Sequence, residues 1–270
     1  MVEITKKYKI GTRRFGLVNW YGTWTLYVKE VLRFLNVWAQ TLFSPLISSL
    51  LFLLVLSLAI GTERGEDLGV SFITFLAPGL IAMQIIQQAF SHSSSSLMIK
   101  KIDGTIVDLL FAPLSASEAT IAISLAAVTR SVLLAIISII TFTLIIDIQI
   151  QNYLTLISFT FFSSFILGNI GIIAGLWAEK FDNMATVTNF IIVPLSFLSG
   201  TFYSIERLPG FLQTVSEFNP FFYMIDGFRY SFIGTADGSI KFGIIYLIIL
   251  SFVSWLVTYI LYKKGYKIKS

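Results

Sequence analysis

The stretches LISSLLFLLVLSLAI (residues 46–60) and IAISLAAVTRSVLLAIISIITFTLII (residues 121–146) decide the fold. A membrane-spanning strand would alternate apolar and polar residues in blocks of about ten. These runs do not alternate, and a helix needs about 20 mostly apolar residues to cross a hydrocarbon core of roughly 30 Å. Six stretches reach that length: 42–60, 70–90, 119–146, 153–177, 184–203 and 242–262. The third and fourth exceed it and are expected to tilt or extend beyond the lipid. The composition agrees. Of 270 residues, 56% are hydrophobic and 13% charged, with a mean hydropathy of +0.82. Soluble domains carry about 25% charged residues, so a cytosolic enzyme and a secreted domain are excluded. The expected fold is an all-α integral membrane protein with a tail and interfacial helix over 1–40, a transmembrane domain over 41–263 and a tail over 264–270.

Basic residues orient the spans. Lys6, Lys7, Lys9, Arg13, Arg14, Lys29 and Arg33 precede the first span. Lys100 and Lys101 follow the second, Lys180 follows the fourth, and Lys263, Lys264, Lys267 and Lys269 follow the sixth. These fourteen share one side, against Arg64, Arg207, Arg229 and Lys241 on the other, with Arg130 inside a span. The positive-inside rule places the fourteen, and so both termini, in the cytoplasm. The long basic region before the first apolar run does not resemble a cleavable signal. Within it Trp24, Val28, Val31, Leu35 and Trp38 share a helical face, with Thr25, Lys29, Arg33 and Asn36 mostly opposite. That pattern predicts an amphipathic helix in the membrane interface, its indoles at headgroup depth.

The connection KKIDGTIVDLLFAPLSASE (residues 100–118) is more structured than a linker. Asp103 or Thr105 can cap a short helix, Thr105 to Asp108 matching a capping box, and Pro113 stops it. Ser115 and Glu118 form a second box that starts the third span. Ile106, Leu109 and Leu110 share one face of the short helix, an apolar ridge that either lies on lipid or docks a cytoplasmic partner.

Polar groups inside spans are costly unless satisfied. Gln84, Gln88, Ser91 and Ser95 recur at helical spacing, with Gln87 and His92 beside them, and read as interhelical contacts, an exit into the interface or the lining of a wet vestibule. Arg130 lies too deep to be obviously interfacial, and either snorkelling or pairing with an inward polar group would make it tolerable. Gly168, Gly171 and Gly175 allow close helix approach. The aromatic segment 204–238 is broken by Pro209, Gly210 and Pro220 into pieces too short to span, which are expected to re-enter the membrane partway.

The stretch 178–230 resembles the membrane subunit of type-2 ABC exporters. The similarity rests on Phe181-Asp182, PLSFLSG at 194–200, Leu208-Pro209, Asn219-Pro220 and the segment 223–229, while IDGTIVDLLFAPLS at 102–115 resembles that family's coupling helix. The resemblance implies a type-2 ABC transmembrane domain, with re-entrant helices before the last span and an exit region around Asn219, Pro220 and Tyr223. It implies ATPase docking through Ile106, Val107, Leu109 and Leu110. It also implies a homodimer with two copies of a cytoplasmic ATPase subunit that carries the ATP and Mg, leaving this chain with no cofactor of its own. Membrane lipid is the other expected partner, and nucleic acid is not expected.

Several chemistries are excluded by composition. The chain has no Cys and a single His, so thiolate chemistry is absent and any His-dependent site would rest on His92. No GxxxxGK[ST] run occurs, so these residues hold no phosphate-cradling loop. An ion-driven secondary transporter is the alternative, but such carriers place carboxylates inside the membrane, and here every Asp and Glu except Asp147 reads as lying in a connection. A lipid-modifying membrane enzyme would need a cluster of catalytic groups, and none is apparent. The predicted function is that of a permease subunit exporting an amphiphile across the bacterial cytoplasmic membrane.

Overall fold

The computed structural model describes residues 16, 18–60, 68–146 and 148–268; the basic run Lys6–Arg14, Arg64, Asp147 and Lys269 lie outside the described residues. Eleven helices account for the described elements, apart from two π-helical turns and a 3-10 turn. α1 covers Trp20–Leu35 and α2 Ser44–Ile60, the latter preceded by a π-helical turn at Ala39–Phe43. α3 covers Phe72–Ile102, α4 Ile106–Phe111, α5 Ala116–Ile145 and α6 Tyr153–Trp177. The next span is compound, with α7 at Phe181–Val187, a π-helical turn at Thr188–Ile192 and α8 at Val193–Leu198. α9 (Gly210–Phe218), α10 (Pro220–Ile233) and α11 (Ile240–Lys263) complete the chain. Among the described residues, six helical stretches are long and apolar enough to cross a membrane.

Helix starts follow capping chemistry. The side chains of Ser71, Ser115, Asn152, Asn219 and Ser239 accept from backbone N–H groups at the starts of α3, α5, α6, α10 and α11, satisfying donors that have no partner inside the helix. The Ser115–Glu118 box forms as expected. The Thr105–Asp108 box does not: Thr105 stands at the start of α4 without a side-chain cap bond.

α3 and α6 form the centre, with α5, α10 and α11 packed around them. Their main core joins Phe75, Leu80, Ile86 and Phe90 to Phe159, Ile166 and Phe228. A smaller core at the other end joins Leu26, Leu97, Ile106, Leu109, Ile123, Leu176 and Tyr262. The glycines of α6 set the α3–α6 spacing. A Cβ at Gly171 would lie 2.5 Å from the Phe90 carbonyl oxygen, and one at Gly175 would lie 2.9 Å from that of Ser94. Gly168 is looser, meeting the Ala127 Cβ at 3.2 Å.

This contact changes the second span, which does not stop at residue 90. α3 continues through SHSSSSLMIKK to Ile102, because the small serines bring its backbone against the glycines of α6. The fifth span ends at Leu198 rather than residue 203. The chain turns there through Gly200, whose φ of +73° suits a residue without a side chain.

Candidate functional site

α1 lies against α5 and the end of α3 through Leu26, Glu30 and Phe34, the buried residues of its length. The expected apolar face is therefore not the one the bundle takes. Trp24 and Trp38 stay exposed, as do Trp20 and Tyr21. The start of α1 is clamped to the α4 connection. Asn19 donates from its backbone to Glu118 Oε1 at 2.7 Å and from Nδ2 to the Pro113 carbonyl at 3.1 Å. The other Glu118 oxygen accepts from the Ser115 backbone at 2.6 Å. One carboxylate thus caps α5 and ties down α1.

Glu30, placed between Leu26 and Phe34, brings a charge into that seam. It accepts from Lys100 Nζ, from Arg33 Nε at 3.1 Å and from Ser96 Oγ at 2.8 Å. Burial pushes the Glu30 carboxyl up, but the Lys100 and Arg33 cations beside it outweigh burial and hold it at about 2. Arg33 also donates to the His92 carbonyl at 2.8 Å. His92 is fully buried, edge-on to Phe34 with centroids 5.6 Å apart, and is not an interfacial residue. Next door, Lys101 Nζ caps the end of α6 by donating to the carbonyls of Leu176 at 2.9 Å and Ala178 at 2.6 Å.

Arg130 finds its partners on other helices. Its guanidinium donates to Gln88 Oε1 on α3 and to the Thr41 carbonyl, at 3.5 Å, in the π-helical turn before α2. Gln84 is buried one turn from Gln88. Within the polar row on α3, Gln88 and Ser95 bind neighbouring helices through Arg130 and Arg33, while Ser91 is exposed.

α4 divides its residues sharply. Ile106 and Leu109 face inward, 6% and 8% exposed, and join the smaller core. Val107, Leu110 and Phe111 face outward, at 43%, 39% and 85%. Of the four residues expected to dock a partner, Ile106 and Leu109 are occupied within the chain. The available ridge is Val107, Leu110 and Phe111, the last of which the sequence reading omitted. Helical spacing identified an apolar face but not which side the bundle would claim.

At the opposite end, α9 and α10 fold back from the fifth span, and α10 is buried among α3, α6 and α11. Asn219 donates from Nδ2 to the Leu195 carbonyl at 3.0 Å and to Ser199 Oγ at 2.7 Å, while Pro220 opens α10. Tyr223 packs at a steep angle against Phe242 and Tyr246, with centroids 5.4 and 5.3 Å away. Ser216 Oγ donates to the Leu198 carbonyl at 3.0 Å. Asn219 and Ser216 together clip the end of the fifth span to the re-entrant pair. Asp226 and Arg229 are buried rather than solvated. Asp226 accepts from the backbones of Asp237 and Gly238 at 3.0 and 2.9 Å. Arg229 donates to the Gly200 carbonyl and sits 3.8 Å over the Phe75 ring. Glu30 and Asp226 lie outside the six candidate spans, as expected of acidic groups, but both are buried and held by fixed donors rather than solvated.

The family model for ABC-2 type transporters matches residues 21–233, from the start of α1 through the end of α10. The chain belongs to the ABC-2 type transporter family. This ABC-2 permease is 30% identical over 253 residues to the inner membrane transport permease YadH of Escherichia coli strain K12, covering 93% of this chain and 98% of that protein. It is 22% identical over 245 residues to nodulation protein J of Neorhizobium galegae, covering 88% and 92%. In this ABC-2 permease the fifth span is the least buried, 11% against 78% for α3, and it carries the exposed Asn189 in its π-helical turn.

Proposed function

We propose that this permease is the membrane half of an ATP-driven exporter of amphiphiles in the bacterial cytoplasmic membrane, working as a homodimer with two separate ATPase subunits. The observation that carries the reading is the exposed ridge of Val107, Leu110 and Phe111. It projects from a helix whose other face is fixed in the core and whose flanks are clamped through Glu118. An apolar ridge on a rigid mount transmits a push, whereas one on a free loop would absorb it.

The chain holds no phosphate-cradling loop, so Mg-ATP is assigned to the partner subunit. The basic bias of the α1–α4 end supports a cytoplasmic placement for it and for both termini. Pairing is supported by the fifth span, because an exposed Asn189 on an apolar helix is costly against lipid and is accommodated against a second copy or a wet pathway. Closure of the ATPase pair would move α4, and with it α3 and α5, shifting a cavity between two copies from inward to outward. An ion-driven carrier is less well supported, since Glu30 and Asp226 are engaged by several fixed donors.

The test is affinity purification in mild detergent. ATP hydrolysis should copurify with the wild type and be lost with Phe111→Asp, whose melting temperature stays unchanged. Retention of hydrolysis by that variant would refute the docking assignment. Deletion of the gene, followed by lipid and envelope-glycan comparison, identifies the exported class.

A further inference from the structure

A groove of about 340 Å3 runs between α1 and α4, beside the docking ridge and separate from it. Its floor is apolar, with Leu26 from α1 and Leu109 from α4 continued by Leu114. Its two walls carry opposite charges. Lys29, exposed on α1, lines one, and Asp108, exposed on α4, lines the other. Lys100 also borders the groove but is committed to Glu30 and Ser96. Tyr21 stands at the mouth, 80% exposed, and Trp20 and Trp24 flank it on the same helix. Exposed rings of this kind settle at headgroup depth.

An apolar trough opening at that depth can admit an acyl chain from the hydrocarbon beneath, and a lining that holds both a cation and an anion suits a head bearing both signs. A purely anionic head would satisfy Lys29 but set its phosphate against Asp108. A quaternary ammonium would offer Asp108 charge without an N–H donor. We propose that the groove binds one phospholipid of the ethanolamine type, its phosphate on Lys29, its primary ammonium on Asp108 and an acyl chain along Leu26 and Leu109. Because Val107, Leu110 and Phe111 lie outside the groove, the lipid and a docked subunit can be held together.

The experiment uses the full chain with whatever subunits copurify, delipidated in mild detergent. It is titrated with phosphatidylethanolamine, phosphatidylcholine or phosphatidylglycerol of matched acyl chains, and bound lipid per chain is counted by native mass spectrometry. Phosphatidylethanolamine should be retained about tenfold better than phosphatidylglycerol, the order expected of one charge-assisted hydrogen bond. Asp108→Asn should erase that preference, and Lys29→Gln should weaken retention of all three lipids. Both side chains are exposed, so unchanged melting temperatures verify folding. Equal retention of the ethanolamine and glycerol lipids would overturn the proposal. So would unaltered selectivity in Asp108→Asn, or the absence of any adduct, as when a partner's polypeptide fills the groove.

Discussion

The Lys100 ammonium donates to the buried Glu30 carboxylate across the seam between α1 and the C-terminal end of α3. Two desolvated charges repay their burial only while both are present. Glu30→Gln alone or Lys100→Met alone should cost about 3–5 kcal/mol, whereas the double variant should recover most of it. Thermal melting in detergent measures both, and a double variant no better than the singles would show that the pair is not the unit.

The same carboxyl sets an acid limit. Its folded value of about 2 lies below the ordinary 4.5, so its contribution is complete above the ordinary value and is lost as pH falls from there towards the folded one. Melting temperature should drop across that window in the wild type and drop less in Glu30→Gln. Identical pH profiles would remove Glu30 from the account.

The α6 glycines should rank by what their side chains would meet. Gly171→Ala drives a Cβ into the backbone carbonyl of Phe90, while the nearest atom to a Cβ at Gly168 is the Ala127 Cβ at 3.2 Å. The first should destabilise by about 1–3 kcal/mol and the second by less. Monodispersity and melting of the purified variants check the order, and a reversed ranking would contradict the α3–α6 spacing.

Topology is testable because the native chain lacks Cys. Asp103 and Ser239 are exposed at opposite ends of the bundle. In intact cells Ser239→Cys should react with an impermeant thiol reagent and Asp103→Cys should not. The reverse labelling would invert the orientation.

The six spans were legible because long apolar runs leave few alternatives to helix. The continuation of α3 was not, since His92 and the serines after it look like an exit into water. His92, Ser93, Ser94 and Ser96 are buried because Gly171 and Gly175 admit the α3 backbone and because Arg33 meets the His92 carbonyl, both relations between residues far apart in sequence. Glu30 did leave a trace, an acid four residues from both Leu26 and Phe34 on one helical face. The depth of Arg130 called for snorkelling or an inward partner, and only packing could choose between them and supply Gln88 and Thr41. On α4 the periodicity marked apolar residues without saying which the core would claim, so Phe111 was missed and Ile106 and Leu109 were assigned outward.

The central claim is that the Val107–Leu110–Phe111 ridge joins this permease to an ATPase, two copies of each. The most direct measurement is the mass and ATP hydrolysis of the complex purified from its native membrane in mild detergent. The account predicts two permease chains with two ATP-hydrolysing subunits. A transport-competent preparation with one permease chain and no second permease, or with no ATP-hydrolysing subunit, would contradict it.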